Sequence, residues 1–333
     1  MQVLIDRNDS ISSLLRIIML LAYQRRELSS RKQLDSRCAP RLVSFHGGSK
    51  MKTIALLHPG KMGATIGACA ATGGARVLWV SENRSAASRS RAEKAGLIGV
   101  ENLAKAVAQS DIVLSVCPPE FAGDVATEVA AQKFKGIYVD ANAISRASAE
   151  AIGKLVTQAG ASFVDGGIIG SPVKKAGSTR LYLSGEKAEE IAQMFSASML
   201  DARAIGTAPG EASALKVVYA AWTKGTDALI LAIRALAKHQ GVEQALLDEW
   251  KTSQPALEQK TVRAAAVAAP KMWRYVGEMN EIAGAFEAAG LPGGFHRAAA
   301  EVSERLAGFK DETEPGPTVV AVLEQLLKGK SIT

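Results

Sequence analysis

The chain has 333 residues, 47% hydrophobic and 22% charged, with a formal net charge of +7; this is the balance of a globular protein long enough for two domains. Residues 1–50 carry nine Lys/Arg against four Asp/Glu, so the rest of the chain is only slightly basic. It has no basic patch interleaved with aromatics, which argues against nucleic acid as a partner.

The first fifty residues differ in character from the remainder of the chain. Ile11–Tyr23 is apolar but short and interrupted by Arg16, too poor for a membrane span, so no membrane partner is expected. The Arg- and Ser-rich composition also reads as a transit peptide. However, Met51-Lys52-Thr53-Ile54 opens directly into a strand, and Met51 is therefore read as the true start. Residues 1–50 are expected to be a poorly packed extension outside the fold.

From Thr53 to Ser85 the sequence reads strand, tight turn, helix, strand: Thr53–Leu57, His58–Gly63, Ala64–Thr72 stopped by Gly73-Gly74, then Val77–Val80. A helix N-terminus after a glycine turn offers free N–H groups and a positive dipole end to a pyrophosphate. The dinucleotide fingerprint G-x-G-x-x-G is incomplete, because His58 stands where its first glycine belongs. Gly60 and Gly63 fill the other two places, and Gly67 lies one helical turn on. Pro59, Gly60, Lys61, Met62 and Gly63 are the expected cofactor cradle; a plain βαβ unit is the alternative. At the end of the second strand, Glu82 would bind an adenosine ribose, as in NAD sites. Arg84, with Asn83, Ser85 and the nearby Arg89 and Arg91, would instead hold a 2′-phosphate. The guanidinium favours NADP, with NAD possible.

Short apolar runs then alternate with helices: Leu103–Ala108, Asp111–Val116, Ala122–Ala131, Gly136–Val139, Ala147–Gln158 and Ala161–Val164. This rhythm predicts an α/β fold with a doubly wound parallel sheet. Ligands in such sheets lie beyond the strands' C-terminal ends, which gathers Cys117-Pro118-Pro119 and Asn142 as further cofactor contacts and brings Asp165-Gly166-Gly167 to the same crevice. Asp165–Gly185 is glycine-rich, with a late strand at Leu181–Leu183. Gly166, Gly167, Ile168 and Gly170 are candidates for binding a substrate carboxylate or carbonyl through freed backbone N–H groups; an ordinary turn-rich connection is the alternative. The three cysteines, Cys38, Cys69 and Cys117, have no metal spacing and fit reduced thiols in a cytoplasmic protein; no metal site is expected.

At Pro209-Gly210-Glu211 the composition changes. Ala212–Gln240 is a long, Ala-rich helical pattern, followed by helices at Glu243–Gln254, Leu257–Ala268, Lys271–Ala289, Gly294–Ala307 and Thr318–Leu327. The division is thus a nucleotide-binding domain over 51–208 and an all-α substrate and dimerisation domain over 209–330, entered by a long interdomain helix. On that helix Lys216, Ala220, Lys224 and Asp227 share one stripe. Lys216 sits among Ala214, Leu215, Val217 and Val218, where lost solvation lowers an amine's pKa toward the range useful for acid–base work. A snorkelling lysine at a domain boundary is the alternative reading.

Gly60-Lys61-Met62-Gly63, Asn83-Arg84-Ser85, the Asp165–Gly185 segment and Gly210 followed by Lys216 together resemble the β-hydroxyacid dehydrogenase and 6-phosphogluconate dehydrogenase superfamily. Trp222-Thr223-Lys224-Gly225, Trp273–Met279 and Gly294-Phe295-His296-Arg297 resemble its branch with a C-terminal domain of unknown function. The resemblance implies a Rossmann-type domain, a catalytic lysine at Lys216, and homodimers paired through the helical domain. Two positions depart from the pattern: Ala220 replaces the family's asparagine, and Ile169-Gly170-Ser171 is the nearest match to its Ser-Gly-Gly. Both departures argue against an ordinary 3-hydroxy acid. Thr223, Lys224 or Asp227 could supply the missing polar contact, as could His296 or Glu278 from the distal helices. The expected activity is NADP-dependent hydride transfer on a small hydroxy or carbonyl compound, with Lys216, Lys224 or Asp227 as the proton-handling group. An imine reductase, against which Lys216 argues, and a non-catalytic NADP sensor are the alternatives.

Overall fold

After Met51 the apolar runs assemble into one eight-stranded sheet in the computed structural model, which describes residues 51–310, 312 and 315–328. Residues 1–50, expected from the sequence to be an extension, lie outside the described residues. The first half runs β1 (Thr53–Leu57), α1 (Lys61–Thr72), β2 (Arg76–Val80), α2 (Ala86–Lys94), β3 (Ile98–Val100), α3 (Leu103–Ala108), β4 (Ile112–Ser115), α4 (Ala122–Ala131), β5 (Ile137–Asp140) and α5 (Arg146–Gln158). It continues with β6 (Ser162–Gly170), β7 (Thr179–Ser184), α6 (Ala188–Gln193) and β8 (Asp201–Gly206). The spatial order is β3-β2-β1-β4-β5-β6-β7-β8. All neighbours are parallel except β6 and β7, which pair antiparallel.

The central strands are buried along their length, as the uninterrupted apolar runs require when helices cover both faces. Alternate residues feed two cores. Ile54 and Leu56 pack with Ile66 and Leu183 on one side, while Ala55 and Leu57 pack with Tyr138 and Val125 on the other. Four elements had no reading in the sequence. α2 carries no apolar face and β3 is a three-residue strand, mostly exposed; α6 and β8 are six residues each.

Beyond Gly206 the chain is helical. α7 (Glu211–His239) is followed by α8 (Glu243–Ser253), α9 (Leu257–Arg263), α10 (Tyr275–Ala288), α11 (Gly294–Arg305) and α12 (Val319–Leu327). The helices expected over Leu257–Ala268 and Lys271–Ala289 are not continuous. A π-turn at Ala264–Ala268 and a 3-10 turn at Ala269–Arg274 lie between α9 and α10. Pro270 lacks an N–H and its ring crowds the carbonyl four residues back, so the α-helical ladder cannot pass through it. Ile230, Leu231, Trp250, Met272, Val322 and Leu323 form the core of this half.

α10 reaches the sheet half at two points. Glu281 on α10 accepts from Ser145 N–H at 2.6 Å and from the Ser148 hydroxyl at 3.0 Å, at the N-terminus of α5. Gly277, also on α10, lies against Pro119 and Glu120, where an added Cβ would stand 3.3 and 3.2 Å from their side chains. No helix among the described residues is long and apolar enough to cross a membrane.

Candidate active site

The fingerprint turn explains its missing glycine. His58 takes the left-handed conformation that glycine usually supplies, with φ of 66°, and its carbonyl accepts from Gly60 N–H at 2.7 Å. Burial, helped by the Arg84 charge, pushes the imidazole down to about 4, so it is neutral at physiological pH. α1 begins at Lys61, three residues earlier than the composition indicated, which places Gly63 inside its first turn. A Cβ there would stand 2.8 Å from the His58 carbonyl oxygen, so only glycine fits. A Cβ on Gly60 would meet nothing within 4 Å, and no side chain caps the first-turn N–H groups. An open approach to uncapped N–H groups is what a pyrophosphate needs. The Pro59 carbonyl accepts from Arg91 Nε at 3.4 Å, which fixes the turn to α2. Met62 packs against the core, and Lys61 is exposed at the helix start.

At the adenosine end, Leu57, His58, Val80, Glu82, Asn83 and Arg84 line a cavity of about 450 Å³. Arg84 Nε is buried there without a hydrogen-bond partner, an unused donor suited to a phosphate oxygen. Asn83 also takes a left-handed φ of 54°. Ser85 caps α2, its Oγ accepting from Ser88 N–H at 3.3 Å.

Asn142 is buried at the end of β5. Its Oδ1 accepts from Cys117 N–H at 2.6 Å, and its Nδ2 donates to Ser115 Oγ at 3.1 Å and Asp140 Oδ2 at 3.0 Å. Its side chain therefore shapes the Cys117-Pro118-Pro119 turn. Burial, with the Asp165 charge adding to it, raises the Asp140 carboxyl to about 7. Burial pushes the Cys117 thiol up to about 12, so it is not a thiolate.

The long helix is anchored from the sheet. Gly210 has no capping side chain, and two residues of β6 and β7 do that work. Asp165 accepts from Ser213 N–H at 2.9 Å and from the Ser213 hydroxyl, while Ser184 Oγ accepts from Ala212 N–H at 3.1 Å and donates to Asp165 at 3.0 Å. A buried carboxylate at a helix N-terminus satisfies orphan N–H groups and opposes the dipole. Gly167 completes the fit: a Cβ there would lie 2.6 Å from the Ala212 carbonyl oxygen and 3.1 Å from Lys216 Cβ. β6 runs on through the glycines, with Gly166 opposite Leu183 and Gly167 opposite Tyr182. Gly166 and Gly167 are thus ladder positions, not a loop of freed N–H groups. Ile168 faces the core, and Gly170 closes the strand with φ of 129°.

Lys216 lies one turn into α7. Burial, followed by the Lys224 charge, lowers its amine to about 8, with Glu278 opposing the shift. Glu278 on α10 forms an ion pair with Lys224, and the Lys224 ammonium stands 4.2 Å from the Tyr275 ring centroid. Burial opposes ionisation of Glu278, yet Lys224 and Lys216 outweigh it and hold the carboxyl below the usual range. Lys216, Lys224, Glu278 and Tyr275 therefore form one cluster.

Within that cluster Lys224 is only 16% exposed and committed to Glu278; the remaining expected residues lie elsewhere. Asp227 is buried with Arg263 at 3.8 Å, and burial raises its carboxyl. The Thr223 hydroxyl donates back to the Tyr219 carbonyl at 3.1 Å. His296 packs on Gly225 and on the Phe286 ring at 4.7 Å. Gly225 is nine residues from Lys216, which at about 100° per residue is the opposite side of the helix, so His296 is a core residue away from the lysine. Sequence reasoning missed Asp165 as the helix anchor and Tyr275 as the platform under Lys224. Neither has a spacing signal, because each meets α7 from a distant part of the chain.

Residues 53–202 match the NAD binding domain of 6-phosphogluconate dehydrogenase, and residues 237–306 match a domain of unknown function, DUF1932. An uncharacterized 28.5 kDa protein of Methanothermus fervidus is 31% identical over 167 residues, half of this chain; the chain spans 64% of that relative's length. A conserved hypothetical protein from Sinorhizobium meliloti is 26% identical with a TM-score of 0.59, covering 84% of this chain and 96% of that one. The 3-hydroxyisobutyrate dehydrogenase of Mycobacterium tuberculosis, solved with L-serine, shares the fold at 20% identity and a TM-score of 0.61, over 84% of this chain and all of that one. The chain thus joins an NAD binding domain of the 6-phosphogluconate dehydrogenase type to a DUF1932 domain, on a fold it shares with 3-hydroxyacid dehydrogenase-like proteins.

Proposed function

We propose that the protein is an NADP-dependent oxidoreductase that moves hydride between the nicotinamide and the carbonyl or hydroxyl carbon of a small molecule, with Lys216 as the general acid–base. The observation that carries this reading is the Lys216 amine, lowered to about 8 beside the Glu278–Lys224 pair. It stands against Gly167 of β6, two residues past the level at which β4 and β5 end, where Ser115, Asp140 and Asp165 lie in register. That is the crevice in which ligands of such sheets bind.

The uncapped N-terminus of α1 would hold the pyrophosphate, and the orphaned Arg84 Nε supports a 2′-phosphate contact. Bound NADPH would supply the hydride. In the reductive direction protonated Lys216 donates a proton to the substrate oxygen; in the oxidative direction the neutral amine accepts it from the hydroxyl. A group titrating near 8 can do both near neutral pH. Ala220, in the place of the family's asparagine, contributes only a buried methyl, so any second polar contact to the substrate must come from another residue.

The test is turnover of NADPH with a panel of aldehydes, keto acids and imines, in wild type and Lys216→Met. Loss of about 10²–10⁴-fold in kcat, with NADP affinity unchanged, supports the reading. Turnover of imines alone favours an imine reductase. Tight NADP binding without turnover of any compound overturns catalysis in favour of a sensor.

The same reading includes a cytoplasmic homodimer paired through the helical domain. Val218, Trp222, Leu229, Ile233 and Leu236 are 40–70% exposed along one face of α7, opposite Lys216. An apolar stripe of that length on a surface helix marks an interaction site, and a second copy of the same helix, apolar at the same positions, is the occupant.

A further inference from the structure

α10 meets the sheet half along one stripe and the lysines along another. Gly277 and Glu281 stand four residues apart, so they share one stripe of the helix. Glu281 is fixed by Ser145 and Ser148 at the start of α5. Gly277 faces Pro119 and Glu120 so closely that a Cβ there would stand 3.3 Å from Pro119 Cγ and 3.2 Å from Glu120 Oε2. Glu278 is next in the chain, about 100° round the helix, and its carboxylate pairs with the Lys224 ammonium.

The seat under Gly277 is stiff. Pro119–Phe121 is a 3-10 turn that follows Pro118 and begins with Pro119, and each proline has its φ fixed by its ring. Just before it, Cys117 N–H donates to Asn142 Oδ1 at 2.6 Å. Asn142 is held in turn by Asp140, which accepts from its N–H and from its Nδ2 at 3.0 Å each, and by Ser115 Oγ at 3.1 Å. A buried amide bonded at both ends does not rotate without losing those bonds. The Glu120 tip can swing aside from a new side chain at position 277; the Pro119 ring cannot. The Lys216 amine feels two charges, Lys224 on its own helix and Glu278 on α10, while β6 meets it with Gly167. Glu278 feels Lys224, Lys216 and Arg274. The position of α10 therefore decides how strongly a carboxylate acts on Lys216.

We propose that Gly277 is a positioning residue: the bare backbone it gives α10 lets the helix seat against the Asn142-held turn, and that seating delivers Glu278 to Lys224 and Lys216. The inference rests on the proposed role of Lys216, but it concerns the state of the amine, which is measured without turnover. Helix propensity favours alanine over glycine here, so the glycine is explained by the seat and not by the helix.

Gly277→Ala and Gly277→Val are compared with Gly284→Ala and Gly284→Val, on the same helix at a position where an added Cβ meets nothing within 4 Å. The Lys216 amine is titrated by NMR in the full chain carrying isotope-labelled lysine, its resonance assigned by its absence from Lys216→Met. Displacing Glu278 weakens the charge that holds the proton on, so the titration midpoint should fall, by about half a pH unit in Gly277→Ala and about one in Gly277→Val, part of what a close opposite charge contributes. Glu278→Gln gives the full size of the effect. Pro119→Ala deletes the ring carbon that the new methyl meets, and it should return the Gly277→Ala midpoint toward wild type. Gly277 variants indistinguishable from their Gly284 counterparts overturn the proposal. So does a fall that Pro119→Ala does not reverse, and so does a Glu278→Gln protein whose Lys216 is unmoved. NADPH turnover is scored separately: a midpoint that moves as expected in a protein that reduces no compound supports the positioning and removes the oxidoreductase reading. Gly277→Ala carries the test if Gly277→Val does not fold.

Discussion

The two faces of α7 are opposites. On one, Lys216 and Lys224 are drawn into partly buried positions against Gly167, Glu278 and Tyr275. On the other, Val218, Trp222, Leu229 and Leu236 stand in the open. α7 also buries Val217, Ala228, Ile230 and Leu231 in the core of its own domain, as an amphipathic helix does. The contrast teaches that two partners share the placing of α7, its own domain along its length and the sheet at its start. Asp165 and Ser184 grip its first turn, and that grip fixes which face meets the cleft.

The largest effect is expected from Lys216→Met, which keeps the apolar stem and removes the proton donor; its loss in kcat corresponds to about 3–5 kcal/mol of transition-state stabilisation. Lys216→Arg should fail similarly, because a guanidinium does not give up its proton. If Lys216→Met stays active while Lys224→Met is dead, the cleft-facing side has been assigned to the wrong lysine. Asp165→Ala comes next. It orphans three donors in the interior and should destabilise the fold by roughly 3 kcal/mol, read as a lower denaturant midpoint. A stability near wild type would mean that α7 is held by its packing alone.

The outward face is probed by Trp222→Glu, which should weaken pairing by roughly 2 kcal/mol or more. Light scattering would then fall from about twice the 35.0 kDa chain mass toward a single chain. A wild type that is monomeric at micromolar concentration would remove the reason for the exposed stripe. At the far end of the cleft, Arg84→Ala should cost about 2 kcal/mol in NADP affinity with little change for NAD. A wild type that prefers NAD would transfer the role to Glu82.

The smallest expected effect sharpens the comparison most. In the reductive direction the rate should fall as pH rises through about 8, because Lys216 loses the proton it donates; in the oxidative direction it should rise through the same pH. Lys224 lowers Lys216 and Glu278 raises it. Lys224→Met should therefore move the limb to higher pH, and Glu278→Gln should move it lower. A limb that stays in place in both variants belongs to another group.

The parts legible in the sequence were those built from local rules. β1, α3 and α4 follow their apolar periodicities to the residue, and the fingerprint turn was readable from Gly60 and Gly63. His58 obscured it because left-handed backbone conformation has no marker in a non-glycine residue. The β6 glycines were read as a loop because glycine is depleted in strands; they stay in the ladder because Gly167 makes room for α7, a contact decided more than forty residues later. The helical half failed where Pro270 converts a continuous apolar pattern into two irregular turns. Lys216 was identified from its neighbours and from family resemblance together, but its partners Glu278 and Tyr275 come from α10 and became a cluster only in three dimensions.

Glu281 has a consequence for how fast ligands come and go. Its carboxylate is shared by Ser145 and Ser148 at the start of α5, so swinging the helices away from the sheet strips an acceptor from that helix terminus. A charge-assisted bond of this kind contributes about 1.5–3 kcal/mol, which by itself limits a widely opened form to a few per cent or less of the population. Were a dinucleotide to leave by such an opening, its residence time would depend on Glu281, a residue held by Ser145 and Ser148.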